Sequence, residues 1–304
     1  MDKGRPQHIG KLRNRHKDWI FAYLFIAPLM IGVTTFTLIP IAQSFYYSFT
    51  KWNGVQTPVW TGFGNYIKLL GDAVFRQEFF NTFCYVFISV PVSLILSLIV
   101  ANLLNAKIRG RTVFRVIYFL PNVTMSVVVA LIWTLMFNSQ FGVINDFLYK
   151  LFEIRPSWLT DPGLIMAVVI VVSVWSSVGY NVVILLAGLQ NVPQNYYEAC
   201  ELDGAGAISK FVHITIPLVS PTVFFLTITS TINAFNSFDL VFMFTTNGAG
   251  PTRDAIRTIV YGIYETGFQF FEMGYASAKA VVLFFIIMLI TLIQFIVQKK
   301  WVHY

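Results

Sequence analysis

Six stretches of this chain run free of charged side chains for long enough to carry a membrane-crossing helix: residues 19–50, 79–106, 116–145, 162–197, 211–238 and 280–298. A bilayer core needs about 20 predominantly apolar residues at about 1.5 Å of rise each. Each window holds one such helix, and the fourth is too short for two helices and a turn. In the first window Pro28 predicts a kink or local unwinding and Pro40 predicts the helix end. The expected layout is a tail over 1–18, a first transmembrane helix over 19–40, an extracellular loop over 41–78, a five-helix core over 79–298, and a short terminus over 299–304.

Composition supports this reading. Apolar residues make up 56% and charged residues 12% of the 304 positions, about half the usual charged share. The mean hydropathy is +0.67. A water-facing surface could not carry that figure, and a disordered chain would be far more polar. Two cysteines, Cys84 and Cys200, cannot build a disulfide framework, so reduced thiols are expected. The first apolar stretch is too long for a secretory h-region and no small-residue cleavage pattern follows it, so it is expected to remain as a helix.

The net charge of +7 matters less than its placement. Six basic residues precede the first span (Lys3, Arg5, Lys11, Arg13, Arg15, Lys17), four follow the second (Lys107, Arg109, Arg111, Arg115), Lys210 lies between the fourth and fifth, and Lys299 and Lys300 close the chain. These thirteen fall on one side, against eight on the other, which also holds nine of the fourteen acids. The positive-inside bias therefore predicts cytoplasmic N- and C-termini in a multi-pass cell-membrane protein. The basic tail reads as a topology signal and lipid-headgroup contact, not a nucleic-acid arm.

Chemistry-bearing motifs are missing. The nearest approach to a Walker A loop, Gly4 to Leu12, has the wrong spacing and ends in leucine. The four histidines give no metal-ligand spacing, and no Gly-x-Ser-x-Gly or His-Glu-x-x-His occurs. Within the windows no Asp, Glu, Lys or Arg is found, and only Asp239 sits at an edge. A proton-driven carrier is hard to build from this set. The expectation is a protein without catalytic residues, metal or cofactor, energised from elsewhere.

One connection defies the charge bias. Residues 191–221 carry Glu198, Glu201 and Asp203 against Lys210 alone. Pro193 can open a helix over Gln194 to Leu202, Gly204 can stop it in a positive-φ turn, a second helix starts near Ala207, and Pro217 and Pro221 start the fifth span. Such a helix–glycine–helix could dock into a groove of another protein. It could also lie at the interface, anchored by Tyr196 and Tyr197.

The run Glu198-Ala199-Cys200-x-x-Asp203-Gly204-Ala205, followed by Phe211, Ile214, Pro217 and Pro221, resembles the EAA loop of ABC-importer permeases, with Cys200 where that family usually has a second alanine. Phe119-Leu-Pro121, Gly142-Val-Ile-Asn145, Trp158-Leu-Thr-Asp-Pro162, Thr246-Asn-Gly-Ala-Gly-Pro251 and Met273-Gly-Tyr-Ala-Ser-Ala278 resemble the maltose- and glycerol-3-phosphate-type "first" permease. The likeness runs from about residue 20 to the C-terminus. It implies the type I importer permease fold and a carbohydrate importer, in which this chain pairs with a second permease, two ATPase subunits that use ATP and Mg, and an extracellular solute-binding protein. By that resemblance the loop couples to the ATPase: Glu198 would meet a basic group there, Ala199 and Cys200 would allow close approach, Gly204 would set the angle between the short helices, and Asp203, Ala205 and Phe211 complete the motif.

A sugar pathway needs aromatic faces and neutral hydrogen-bonding groups. The fourth span offers Trp175, Ser176, Tyr180 and Asn181. The fifth offers Ser230, Asn233, Asn236 and Ser237 on one face, with Asp239 beyond. Interhelical packing explains the same residues equally well. The rival classes are a self-contained secondary carrier or channel for a neutral solute, which would need intramembrane charges or inverted repeats, and an intramembrane enzyme, for which no paired acids exist at depth.

Overall fold

The computed structural model describes residues 8–105, 110–246 and 250–302, the side chains of 8–18, 111 and 246 excepted. The first span is one continuous helix. α1 (His8–Val33) passes Pro28 unbroken, runs through a π-helical turn at Thr34–Leu38, and continues as α2 (Ile39–Ser48). Pro40 therefore does not end it. It sits just past the π turn, where the loosened hydrogen-bond ladder accommodates a residue without an amide hydrogen. The expected loop over 41–78 is correspondingly shorter and partly ordered. A hairpin of β1 (Thr50–Lys51) and β2 (Val59–Trp60), pairing Thr50 with Trp60, leads to α3 (Gly64–Gly71).

α4 (Ala73–Asn105) is the second span. The third is a bent pair: α5 (Arg111–Val123) and α6 (Ser126–Met136) meet at 100°. Thr124 and Met125 adopt extended ψ values of 137° and 132° between them, three and four residues after Pro121. The expected single helix over 116–145 is thus broken midway. α7 (Val143–Phe152) precedes α8 (Ile165–Gln190), the fourth span.

The next connection holds α9 (Gln194–Leu202) and α10 (Ala207–Lys210). A π turn at Phe211–Thr215 joins α10 directly to α11 (Ile216–Phe235), so the fifth span begins ten residues before Pro217. Short helices α12 (Asp239–Thr246), α13 (Pro251–Ile256) and α14 (Ile259–Tyr264) and a π turn at Glu265–Gln269 lead to α15 (Met273–Gln298). Among the described residues, five helices are long and apolar enough to cross a bilayer, and the bent pair makes six.

α8 is the hub, packed on α4, α5 and α11. Small residues bring the helices close: a Cβ on Gly179 would lie 1.9 Å from the Tyr118 carbonyl oxygen, and one on Gly188 would lie 2.5 Å from Thr222 Oγ1. α4 turns its polar side inward, burying Glu78, Asn81, Thr82, Tyr85, Ser89, Ser93 and Ser97, while Phe80, Phe87 and Ile95 face out. The first span stands apart, with none of its most apolar window buried. It touches the bundle where Phe45 meets Phe284 and Phe285 edge-on.

Candidate functional site

Three regions carry polar chemistry. The first is a cavity of about 440 Å³ walled by α4, the α5–α6 break, α8 and the end of α11. Among the residues singled out from the sequence, Ser176, Tyr180, Asn181, Ser230, Asn233, Asn236, Ser237 and Asp239 all line it. Trp175 does not. One residue of helix rotation turns it into a separate, apolar hollow of about 780 Å³, edge-on to Trp133 at 5.4 Å.

The cavity gains groups the sequence reading passed over: Tyr85, Ser89 and Ser93 of α4, Asn122, Thr124 and Ser126 at the break, and Ser173 and Ser177 of α8. The signal for the α4 set is a four-residue recurrence of polar residues at 81, 85, 89, 93 and 97. The Tyr85 hydroxyl bonds Ser173 Oγ at 2.6 Å and donates to Ser237 Oγ at 3.3 Å, tying three walls together. Two lining groups are buried without a hydrogen-bond partner, Ser176 Oγ and Asn181 Nδ2. A buried unsatisfied amide costs about 1–3 kcal/mol, so these atoms are suited to a polar molecule in the cavity.

The second region lies at the bundle end where α4 and α15 begin. The charge-free windows stop just short of Glu78 and Lys279, but the helices start earlier and carry both into the interior. Glu78, Lys279 and Glu265 are at most 1% exposed and Arg257 is 8% exposed. Lys279 Nζ donates to both Glu78 oxygens at 3.1 and 3.0 Å and to Thr266 Oγ1 at 3.2 Å. Arg257 bonds Glu265, and its Nε lies 3.0 Å from Glu78 without the alignment of a hydrogen bond. Asn81 Nδ2 donates to the carbonyls of Asp254 and Arg257, and the Ile259 amide donates to Thr82 Oγ1. α4, α15 and residues 251–269 are thereby bolted into one block. The expectation of helices without internal charge is corrected here: charge is present and internally paired.

Just outside the span, the Tyr275 hydroxyl donates to Asp72 at 2.6 Å. Burial raises the Asp72 pKa, but that bond, the amides of Val74 and Phe75 and the charge of Lys279 together outweigh it and hold it below the ordinary carboxylate value. Two of the stretches singled out from the sequence also meet near this end: Trp158 Nε1 donates to Asn145 Oδ1 at 2.8 Å, and Asn145 donates to the Pro156 carbonyl. Of the run at 246–251, residues 247–249 lie outside the described residues.

The third region is the helix–turn–helix at the opposite end. α9 spans Gln194–Leu202, and Gly204 stands at φ +77°. The Ala205 amide donates to the Cys200 carbonyl and the Gly204 amide to the Glu201 carbonyl, the paired bonds of a Schellman stop. α9 buries none of its residues. Glu198, Ala199, Asp203 and Gly204 are exposed, while Cys200, Ala205 and Phe211 are half-buried. Leu202 and Ile208 are 90% and 81% exposed. Two ties run back from α9: Glu201 pairs with Lys210 at 2.6 Å, and the Tyr197 hydroxyl lies 3.0 Å from Thr215 Oγ1.

Among known proteins, residues 74–303 match the family described as binding-protein-dependent transport system inner membrane component. The chain is 36% identical over 297 residues to the probable ABC transporter permease protein YesP of Bacillus subtilis, covering 97% of this chain and 95% of that one. It is 33% identical to the lactose transport system permease protein LacF of Rhizobium radiobacter (91% and 94% covered) and 30% identical to the trehalose/maltose transport system permease protein MalF of Thermococcus litoralis (92% and 94%). The solved bacterial alginate ABC transporter, in complex with an alginate pentasaccharide-bound periplasmic protein, contains a chain that superimposes with a TM-score of 0.80 at 20% identity, covering 95% of this chain and 96% of that one.

Proposed function

This chain belongs to the inner membrane components of binding-protein-dependent transport systems, and on that premise we propose that it is the permease subunit of an ATP-driven carbohydrate importer. The observation that carries this reading is the helix–turn–helix of α9 and α10, pushed out of the bundle with no buried residue in either helix and continuous with the fifth span. A stable fold gains nothing from exposing Leu202 and Ile208 on such an arm; a docking partner does. An ATPase dimer is that partner, which accounts for the missing Walker motif in this chain. Glu198, exposed on α9, would make a charge-assisted contact with a basic group of the ATPase. ATP and Mg belong to those subunits.

A second permease completes the pathway, and an external binding protein delivers the solute. Carbohydrate is supported by the named substrates of the lactose and trehalose/maltose relatives and by the cavity chemistry. Tyr180 supplies an aromatic face, and serines, asparagines and one carboxylate, Asp239, surround it. Ser176 and Asn181 are free to bond hydroxyls. The basic bias of the first tail and the 107–115 connection supports cytoplasmic termini and a cytoplasmic α9.

Two measurements test the reading. In proteoliposomes holding the complete complex, uptake of saccharides from a mono- and oligosaccharide panel requires ATP and the ATPase subunits; uptake by this chain alone would instead make it a self-contained carrier. In right-side-out vesicles carrying Cys84→Ser, a membrane-impermeant maleimide labels Cys200 only after permeabilisation. Labelling in intact vesicles would overturn the cytoplasmic placement of α9.

A further inference from the structure

α10, the π turn and α11 form one unbroken helix from Ala207 to Phe235, reaching from the loop to the polar cavity. Along the backbone α9 joins this rod through residues 203–206, which include Gly204 at φ +77° and an extended Gly206. The Schellman bonds hold residues 204 and 205 to α9, so backbone freedom is left at Gly206, where α9 could swing without turning the rod. The two side-chain ties remove that freedom, and they are unequal. The Glu201–Lys210 pair leaves the Glu201 side chain 64% exposed, and exposed pairs contribute little. The Tyr197–Thr215 bond closes on a threonine that is 2% exposed and belongs to the π turn itself. Thr215 Oγ1 also lies 3.4 Å from the Lys210 carbonyl, five residues back, so its oxygen sits at the junction between the short helix and the span.

Resting on the reading that α9 docks on an ATPase, we propose that the Tyr197–Thr215 hydrogen bond is the joint through which displacement of α9 turns the 207–235 helix and reshapes the cavity. Tyr197 and Thr215 are positioning residues and touch neither nucleotide nor solute. The exposed ion pair keeps α9 and α10 side by side, while the buried bond transmits the load.

The experiment uses the complete complex in lipid nanodiscs with Mg-ATP and vanadate as the probe. Spin-label distances are read on two pairs in a Cys84→Ser background. One pair, Gln194→Cys with Val297→Cys and Cys200→Ala, reports α9 against the end of α15. The other, Ala234→Cys with Val55→Cys and Cys200→Ala, reports the cavity end of α11 against the hairpin. Both distances shift in the otherwise unaltered protein. In Tyr197→Phe and in Thr215→Val the first shift persists, while roughly 3- to 10-fold fewer molecules show the second, the range expected for one hydrogen bond. Combining the two changes is no worse than either alone, and Thr215→Ser, which keeps the oxygen, retains both shifts. Full movement of the α11 pair in either single variant, or losses that add in the double, overturns the joint. If neither pair moves in the unaltered protein, or the ATPase fails to co-purify with it, the docking reading itself fails.

Discussion

The two ends of this bundle both carry charge where a membrane protein would be expected to avoid it, and they treat it in opposite ways. Where α4 and α15 begin, Glu78, Lys279, Arg257 and Glu265 are at most 8% exposed and ion-pair with one another. At the loop end, α9 holds Glu198 and Glu201 on a helix with no buried residue. Buried charges must be matched within the chain, since an unpaired one costs several kcal/mol. Exposed charges need no internal match: even Glu201, paired with Lys210, keeps its side chain mostly in solvent. Burial, more than charge content, separates the end that holds the fold together from the end proposed to meet a partner.

The largest expected effect follows at the charged end. Glu78→Ala leaves Lys279 and Arg257 without their shared acceptor and should destabilise the chain by about 3–5 kcal/mol, read as loss of monodisperse protein after detergent extraction and a lowered thermal midpoint. Pairing Glu78→Leu with Lys279→Met keeps Arg257 on Glu265 and should recover most of the loss. If the single change is tolerated as well as the double, the network is not holding that end. Gly262→Ala comes next. Its Cβ would lie 2.2–2.4 Å from the Glu78 carboxylate, so the ion pair must shift, at about 1–3 kcal/mol in the same assays.

At the loop end the same assays should register less while transport registers more. Gly204→Val forces a β-branched residue to φ +77°, costing about 1–2 kcal/mol at an exposed turn. Extraction and oligomeric profile should stay close to normal while ATP-driven uptake is lost. Retained uptake would show that the angle between α9 and α10 is immaterial.

How much of this was legible depended on how local the determinants are. The span of α9, the Gly204 stop and the start of α10 at Ala207 follow from Pro193, Gly204 and short-range helix rules, and they stand where the pattern puts them. The polar cavity was half legible: hydroxyls and amides on α8 and α11 announce themselves, but the matching stripe at 85, 89 and 93 is diluted among α4's phenylalanines and leucines. Trp175 shows the limit of counting by type, since one step along a helix separates a polar wall from an apolar one. The charged network was hidden because charge was used to end the windows, and Glu78 and Lys279 lie 201 residues apart. The break at Thr124 had a signal in Pro121, but Pro28 and Pro91 sit inside intact helices, so proline alone does not decide.

Acid titration sharpens the contrast further. Asp72 is held below the ordinary carboxylate value of 3.8 in the folded chain, so its contribution is present above that value and is lost as pH falls through the lower folded one. Through Asp72 the thermal midpoint should start to fall as pH drops through about 3.8, the unfolded value. In Tyr275→Phe, which removes the bonded hydroxyl and lets the folded pKa rise toward that value, the acid-dependent fall should be smaller. Coincident acid limbs would show that Asp72 does not help to hold the hairpin side of the charged end.

The smallest expected effect on stability is the most informative about function. Glu198 is exposed on a helix that packs against little else in this chain, so Glu198→Lys should change the thermal midpoint by no more than about 0.5 kcal/mol equivalent, as for other surface substitutions. Reversing its sign should nonetheless weaken ATPase co-purification, since a charge-assisted contact becomes a repulsion. The comparison with Glu78→Ala then separates the two ends on one pair of readings. One acid should be indispensable to the fold, the other only to the assembly. If Glu198→Lys instead lowers stability as Glu78→Ala does, or leaves ATPase recruitment and uptake untouched, α9 is an interfacial element of the bundle and not its handle.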